Sequence, residues 1–118
     1  MTELQLAKEI AKLLDKKKAI DIQALHVTEQ TIVGDYFVIA SGTSNTHVKS
    51  LADEVDYELG EMGVKPSHIE GKATGWILLD YGTVLVHVFT RETREYYNLE
   101  HLWQDAERVD LSDVLTDD

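Results

Sequence analysis

The run "YFVIA", Tyr36 to Ala40, is apolar at every position and rich in β-prone residues. A strand with one wet face alternates apolar and polar side chains. This one does not, so both of its faces must be covered. Two long amphipathic segments are available as cover. Leu4, Ala7, Ile10, Ala11 and Leu14 recur at helical spacing. Thr2 and Gln5 stand at capping-box distance ahead of them. Lys16, Lys17 and Lys18 sit where cations favour a helix end. Further on, Val48, Leu51, Ala52, Val55, Leu59 and Met62 form one apolar stripe that stops at Gly63.

The remaining segments read as sheet. "AIDIQALHV" alternates, with Ile20, Ile22 and Ala24 set against Asp21 and Gln23. "SHIEG" after Pro66 is a short strand and "KATG" a loop. "WILLD" and "VLVHVF" are strong strands, and the short join "YGT" makes them a hairpin. Residues 90–103 read as a last helix opened by Thr90. The order α-β-β-α-β-β-β-α predicts an α/β fold, a single mixed β-sheet with helices packed on it. The acidic stretch "QDAERVDLSDVLTDD" lacks long apolar periodicity. It is expected to be a flexible tail (104–118) behind a domain spanning 1–103.

Charge narrows the function. Asp and Glu number 22 against 11 Lys and Arg, for a net charge of −11. Such a chain meets phosphates against its own field, so direct nucleic-acid recognition is not expected. Cysteine is absent, which removes disulfides, Cys-ligated zinc and thiol chemistry. No apolar run is long enough for a bilayer, and the N-terminus is charged throughout rather than patterned as a signal peptide. The expectation is a cytoplasmic domain with no membrane contact.

Between the run at 36–40 and the second helix lies "SGTSNTH". Gly42, Thr43 and Ser44 at a helix start form half of a nucleotidyltransferase triphosphate turn. The other half, a close carboxylate pair for two metal ions, is missing, since Glu70 and Asp80 lie on different segments. The simpler reading is a cap and turn built by Gly42, Thr43, Ser44 and His47. Five histidines are spread one per element without ligand spacing, so no metal and no cofactor are expected. His87 shares a strand face with Leu85 and Phe89. It reads either as a sheet-core histidine or as a contact on a half-open face. Trp76, Tyr81, Phe89, Tyr96, Tyr97 and Trp103 crowd the last third with Arg91 and Arg94, the residue types that dominate protein–protein hot spots.

The series Gly-Thr-Ser-x-x-His-Val, Glu-Gly, Trp-Ile-Leu-Leu-Asp, Val-His-Val and Tyr-x-Leu-Glu-x-Leu-Trp resembles the ribosomal silencing factor family, also called Iojap, from about residue 4 to Trp103. The resemblance implies a nucleotidyltransferase-like fold without catalytic carboxylates, and no enzyme activity. It implies a translational repressor that docks on a basic protein of the large ribosomal subunit, ribosomal protein fourteen. Joining with the small subunit is thereby blocked when nutrients are scarce. It also implies a homodimer when free. Carried over by position, the partner-facing residues are Trp76, Asp80, His87, Arg94, Tyr97, Leu99, Leu102 and Trp103, and the aromatic cluster adds Tyr81 and Phe89 to the expected partner surface. Two departures remove carboxylates the family usually has: Gly75 precedes Trp76, and Tyr81-Gly82-Thr83 follows Asp80. A small nucleotidyltransferase and a homodimeric adaptor with another partner are the rival classes.

Overall fold

The computed structural model describes residues 1–27, 35–71 and 75–115. The elements run α1 (Glu3–Lys16), β1 (Ile20–His26), β2 (Tyr36–Gly42), α2 (Asn45–Glu61), β3 (His68–Glu70), β4 (Trp76–Asp80) and β5 (Val84–Thr90). The chain ends with α3 (Arg91–Tyr97), α4 (Leu99–Leu102) and β6 (Glu107–Arg108). The strands form one sheet in the order β3-β4-β5-β2-β1-β6. Among the described residues only the central β2–β5 pair is parallel, with Tyr36 opposite Val84 and Gly42 opposite Thr90. The sheet is therefore mixed.

Alternation along the strands makes two cores. Ala24, Val38, Ala40, Ile77, Leu79, Val84, Val86 and Val88 point to one face, where α1 and α2 lie on them. Ile10 and Leu14 of α1, and Leu51, Val55 and Leu59 of α2, are fully buried there. Each such side chain contributes roughly 1.5–3 kcal/mol of burial. Leu25, Val27, Phe37, Ile39, Leu85 and Phe89 point to the other face, under Trp76, Leu78, Leu99 and Trp103.

Both long helices are closed by local chemistry. Thr2 and Gln5 form a reciprocal capping box on α1. At its C-terminus the N–H groups of Lys18 and Ala19 return to the carbonyls of Asp15 and Leu14, a Schellman closure with Lys18 at φ +67°. The same closure ends α2, from Gly63 to Gly60 and from Val64 to Leu59.

The structure departs from the sequence reading in three places. In β1, Asp21 at φ +51° and a shift of register between Ile20 and Gln23 break the expected alternation, so Ile20 stands opposite Ser41 while Ala24 stands opposite Val38 on the other face. The last helix is not continuous. Asn98 adopts φ +47°, a left-handed conformation that asparagine tolerates, and splits it into α3 and α4. The stretch from 104 is not a loose tail as far as Leu115. β6 pairs with Leu25 and His26, and the Val109 N–H donates to the Ala24 carbonyl (2.8 Å). Leu111 is buried among the side chains of the α1/α2 face, with Val109, Val114 and Leu115 partly covered beside it. The apolar spacing fits no single regular element, which is why periodicity misses it. The open backbone of β1 is what recruits the segment. Of the expected loop at 72–75, residues 72–74 lie outside the described residues, and Gly75 is the residue leading into β4.

Candidate functional site

The turn after β2 uses its own donors and acceptors. The Ser44 hydroxyl accepts the His47 N–H (3.1 Å) as the cap of α2. The Thr43 N–H donates to His47 Nδ1 (2.9 Å), so Nε2 carries the proton that it donates to the Lys17 carbonyl (2.9 Å). His47 thereby ties the end of α1 to the start of α2. A Cβ on Gly42 would lie 3.0 Å from both the backbone nitrogen and Cγ2 of Val48, so any other residue would force the first turn of α2 to give way. Two N–H donors of this turn, those of Thr43 and His47, are thus engaged within the chain.

Strand register keeps the distant carboxylates away from this turn. Gly42 stands opposite Thr90, whereas Asp80 stands opposite Leu85. Five residues of strand separate the two ends, about 16 Å. Asp80 instead accepts the Gly82 N–H (2.7 Å), and His68 lies 3.5 Å from Glu70 and 3.8 Å from Asp80. No group of three or more His, Asp or Glu suited to a metal ion occurs among the described residues.

Arg94, expected on the partner surface, is buried, with 8% of its surface exposed. Its guanidinium donates to Glu100 Oε2 (3.1 Å), to the Ser41 hydroxyl (2.8 Å) and to the Ile20 carbonyl (3.4 Å). One side chain thus bolts α3 and α4 to the ends of β1 and β2. It crosses a polar crevice of about 310 Å³ that Arg91, Asn98 and Asp21 also line.

The face away from α1 and α2 carries a continuous row of rings. Tyr96 meets Tyr97 (centroids 5.0 Å apart), Tyr97 meets Trp76 (4.6 Å), Trp76 lies over Phe89 (5.1 Å), and Phe37 bridges His87 (4.9 Å) to Trp103 (5.6 Å). The Trp76 indole N–H donates to His87 Nδ1 (3.2 Å). Burial pushes the His87 imidazole down to about 4, so the ring is neutral at ordinary pH. Its Nε2 is buried with no hydrogen-bond partner among the described residues.

The expected partner-facing set divides by exposure. Tyr97 (47% exposed) and Leu102 (69%) face solvent, and Trp76, Leu99 and Trp103 are partly covered at the rim. His87 and Phe89 lie beneath them, buried. Asp80 shares the strand face of Trp76 but stands about 13 Å farther along β4. Tyr81 packs toward the α1/α2 core, where burial first, and Asp56 second, raise its hydroxyl well above the ordinary range.

The family model for "Ribosomal silencing factor during starvation" matches residues 1–118. The chain is 40% identical over 112 residues to "Ribosomal silencing factor RsfS" of Bacillus subtilis, covering 94% of this chain and 95% of that one. It belongs to the ribosomal silencing factor family. A second silencing factor, from Halalkalibacterium halodurans, is 36% identical over 117 residues, 98% of this chain and all of that one. The fold is also that of a solved protein from Chromobacterium violaceum, with a TM-score of 0.85 at 35% identity over 88% of each chain. The family match runs through 118 and so includes the segment that closes on β1.

Three residues of this face escape the sequence reading of the site. Phe37 shares a face with Ile39 by simple alternation, a signal hidden because the whole run is apolar. Glu92 and Thr93 come beside Trp76 only because α3 folds back over the start of β4. Gly75 permits that approach: it has φ +36°, and a Cβ there would lie 2.9 Å from Thr93 Oγ1.

Proposed function

We propose that this silencing factor is a non-enzymatic repressor of translation. It docks on the large ribosomal subunit and sterically blocks joining with the small subunit, damping translation in nutrient limitation. The observation that carries this reading is the row of rings on the face that α1 and α2 leave uncovered. Tyr97, Tyr96 and Leu102 are exposed at its edge. Aromatic side chains half in and half out of a core are the usual anchors of a protein interface. The partner within the subunit is a basic ribosomal protein, large-subunit protein fourteen. A net charge of −11 favours a basic protein patch and opposes contact with ribosomal RNA. The protein acts in the cytoplasm, and the free form is a homodimer.

Co-sedimentation tests the reading. The chain should travel with large subunits, be absent from joined ribosomes, and lower the yield of joined ribosomes when added to separated subunits. Equal recovery with joined ribosomes, or no recovery with large subunits, would overturn it. Trp76→Ala should weaken large-subunit binding by about 2 kcal/mol while the circular dichroism of the fold persists. Unchanged affinity in that folded variant would move the docking surface elsewhere.

A further inference from the structure

Beside Trp76, on the outer side of α3, lies an open cavity of about 460 Å³ lined by Trp76, Glu92, Thr93, Tyr96 and Tyr97. Three of these five residues present aromatic rings, whose faces carry negative potential. A fourth adds a carboxylate and the fifth a hydroxyl. Among the described residues no cation lines the cavity, and Arg91 and Arg94, which flank Glu92 and Thr93, line the neighbouring crevice instead.

The walls are held in place before anything binds. The Trp76 ring is fixed by its hydrogen bond to His87, by Phe89 beneath it and by Tyr97 beside it at a 46° tilt. His87 brings no positive charge to that ring at ordinary pH. A purely apolar occupant would strip water from Glu92 and leave the carboxylate unpaired. A cation answers both the rings and the carboxylate.

We propose that this cavity takes a cationic side chain of the docking partner, an arginine guanidinium stacked on Trp76 and Tyr97 and paired with Glu92. The inference rests on the docking reading above and names the chemistry of one contact within it. Arginine is favoured over lysine because a guanidinium is planar and weakly hydrated, and it can stack on a ring while pairing with a carboxylate. An ammonium would keep its water in so open a cavity. The net charge of −11 draws cations toward the surface in general, and the ring-and-carboxylate set selects where one stays.

The chain has two tryptophans, so the two indole N–H signals in a nitrogen-15 spectrum can be told apart. N-acetyl-arginine methylamide should shift the Trp76 indole signal saturably and leave that of Trp103 in place. The citrulline analogue, equal in shape but uncharged, should bind about fivefold more weakly, and Glu92→Gln should weaken the arginine compound by a similar factor. Equal affinity for citrulline, no effect of Glu92→Gln, or no saturable shift up to the solubility limit would overturn the inference. Co-sedimentation of the unaltered protein with large subunits separates the two readings. Docking without an arginine response removes the cation contact alone. An arginine response in a chain that never co-sediments upholds the cavity chemistry and removes the docking reading.

Discussion

The two faces of the sheet alternate along the same strands and are finished in different ways. One is covered by α1, of 14 residues, and α2, of 17. At about 1.5 Å per residue these helices are roughly 21 and 26 Å long. A seven-residue strand such as β2 or β5 spans about 23 Å, so the helices match it end to end. The other face has α3 of seven residues and α4 of four, roughly 10 and 6 Å. They are too short to roof the strands, and rings complete the cover. Aliphatic side chains suffice under a full roof. Under a partial one, large side chains must shield the strands with one edge and meet water with the other. The short roof is what leaves Tyr96, Tyr97 and Leu102 open to solvent.

The contrast is open to attack from both sides, beginning with the largest effect. Leu51 is fully buried beneath the roofed face. Leu51→Ala should cost about 3–4 kcal/mol in urea unfolding while folded protein still docks. A loss below about 1 kcal/mol would mean that this face is not the main store of stability.

The ring face should reveal itself through pH. Burial lowers the His87 value from 6.5 to about 4. As pH falls through 6.5 the unfolded chain takes up a proton that the native state refuses. The contribution of His87 to stability is thus complete above about pH 6.5 and is lost progressively down to about pH 4. At about 1.4 kcal/mol per pH unit, that span amounts to about 3 kcal/mol. His87→Gln keeps an acceptor for the Trp76 indole and does not titrate, so its stability curve should be flatter between those limits. A parallel curve would deny His87 this role.

Smaller effects belong to the ends of the roofing helices. Ser44→Ala removes the α2 cap and should cost about 1 kcal/mol by thermal unfolding, with docking unchanged. A docking loss without a stability loss would assign the turn to the interface. Lys18 holds a left-handed conformation at the end of α1. Lys18→Gly should therefore stabilise the protein by about 0.5–1 kcal/mol, and a destabilised variant would show that the lysine side chain has a contact of its own.

Several features could be read before any fold was known, since neighbours in sequence carry them. The stripes of α1 and α2 and the apolar runs of β2 and β5 appear at their expected places, whereas the alternation of β1 is broken at Asp21 and puts Ile20 and Ala24 on opposite faces. The candidate site was less accessible. Tyr97, Leu102 and Trp76 do reach the surface or its rim, but His87, Phe89 and Arg94 do not. Residue type marks a residue as able to bind, and it does not say which side of a helix covers it. Arg94 shows this best: an arginine among aromatics reads as a hot spot, yet it ends on Ser41 and Ile20, far back in the chain.

The sequence by itself determined the alternation of helices and strands, the family and the acidic charge, because each is written in short-range pattern or in plain counts. Tertiary structure decided which half of that pattern stays open. The parallel pairing of β2 with β5 set the carboxylate of Asp80 about 16 Å along the sheet from the Gly42 turn. The left-handed Asn98 turned α4 so that Trp103, at its end, meets Phe37. The unpaired edge of β1 drew in the acidic segment and buried Leu111. Each of these depends on the length of one element measured against another across the fold. Such comparisons between distant segments exist only once the strands have found their register.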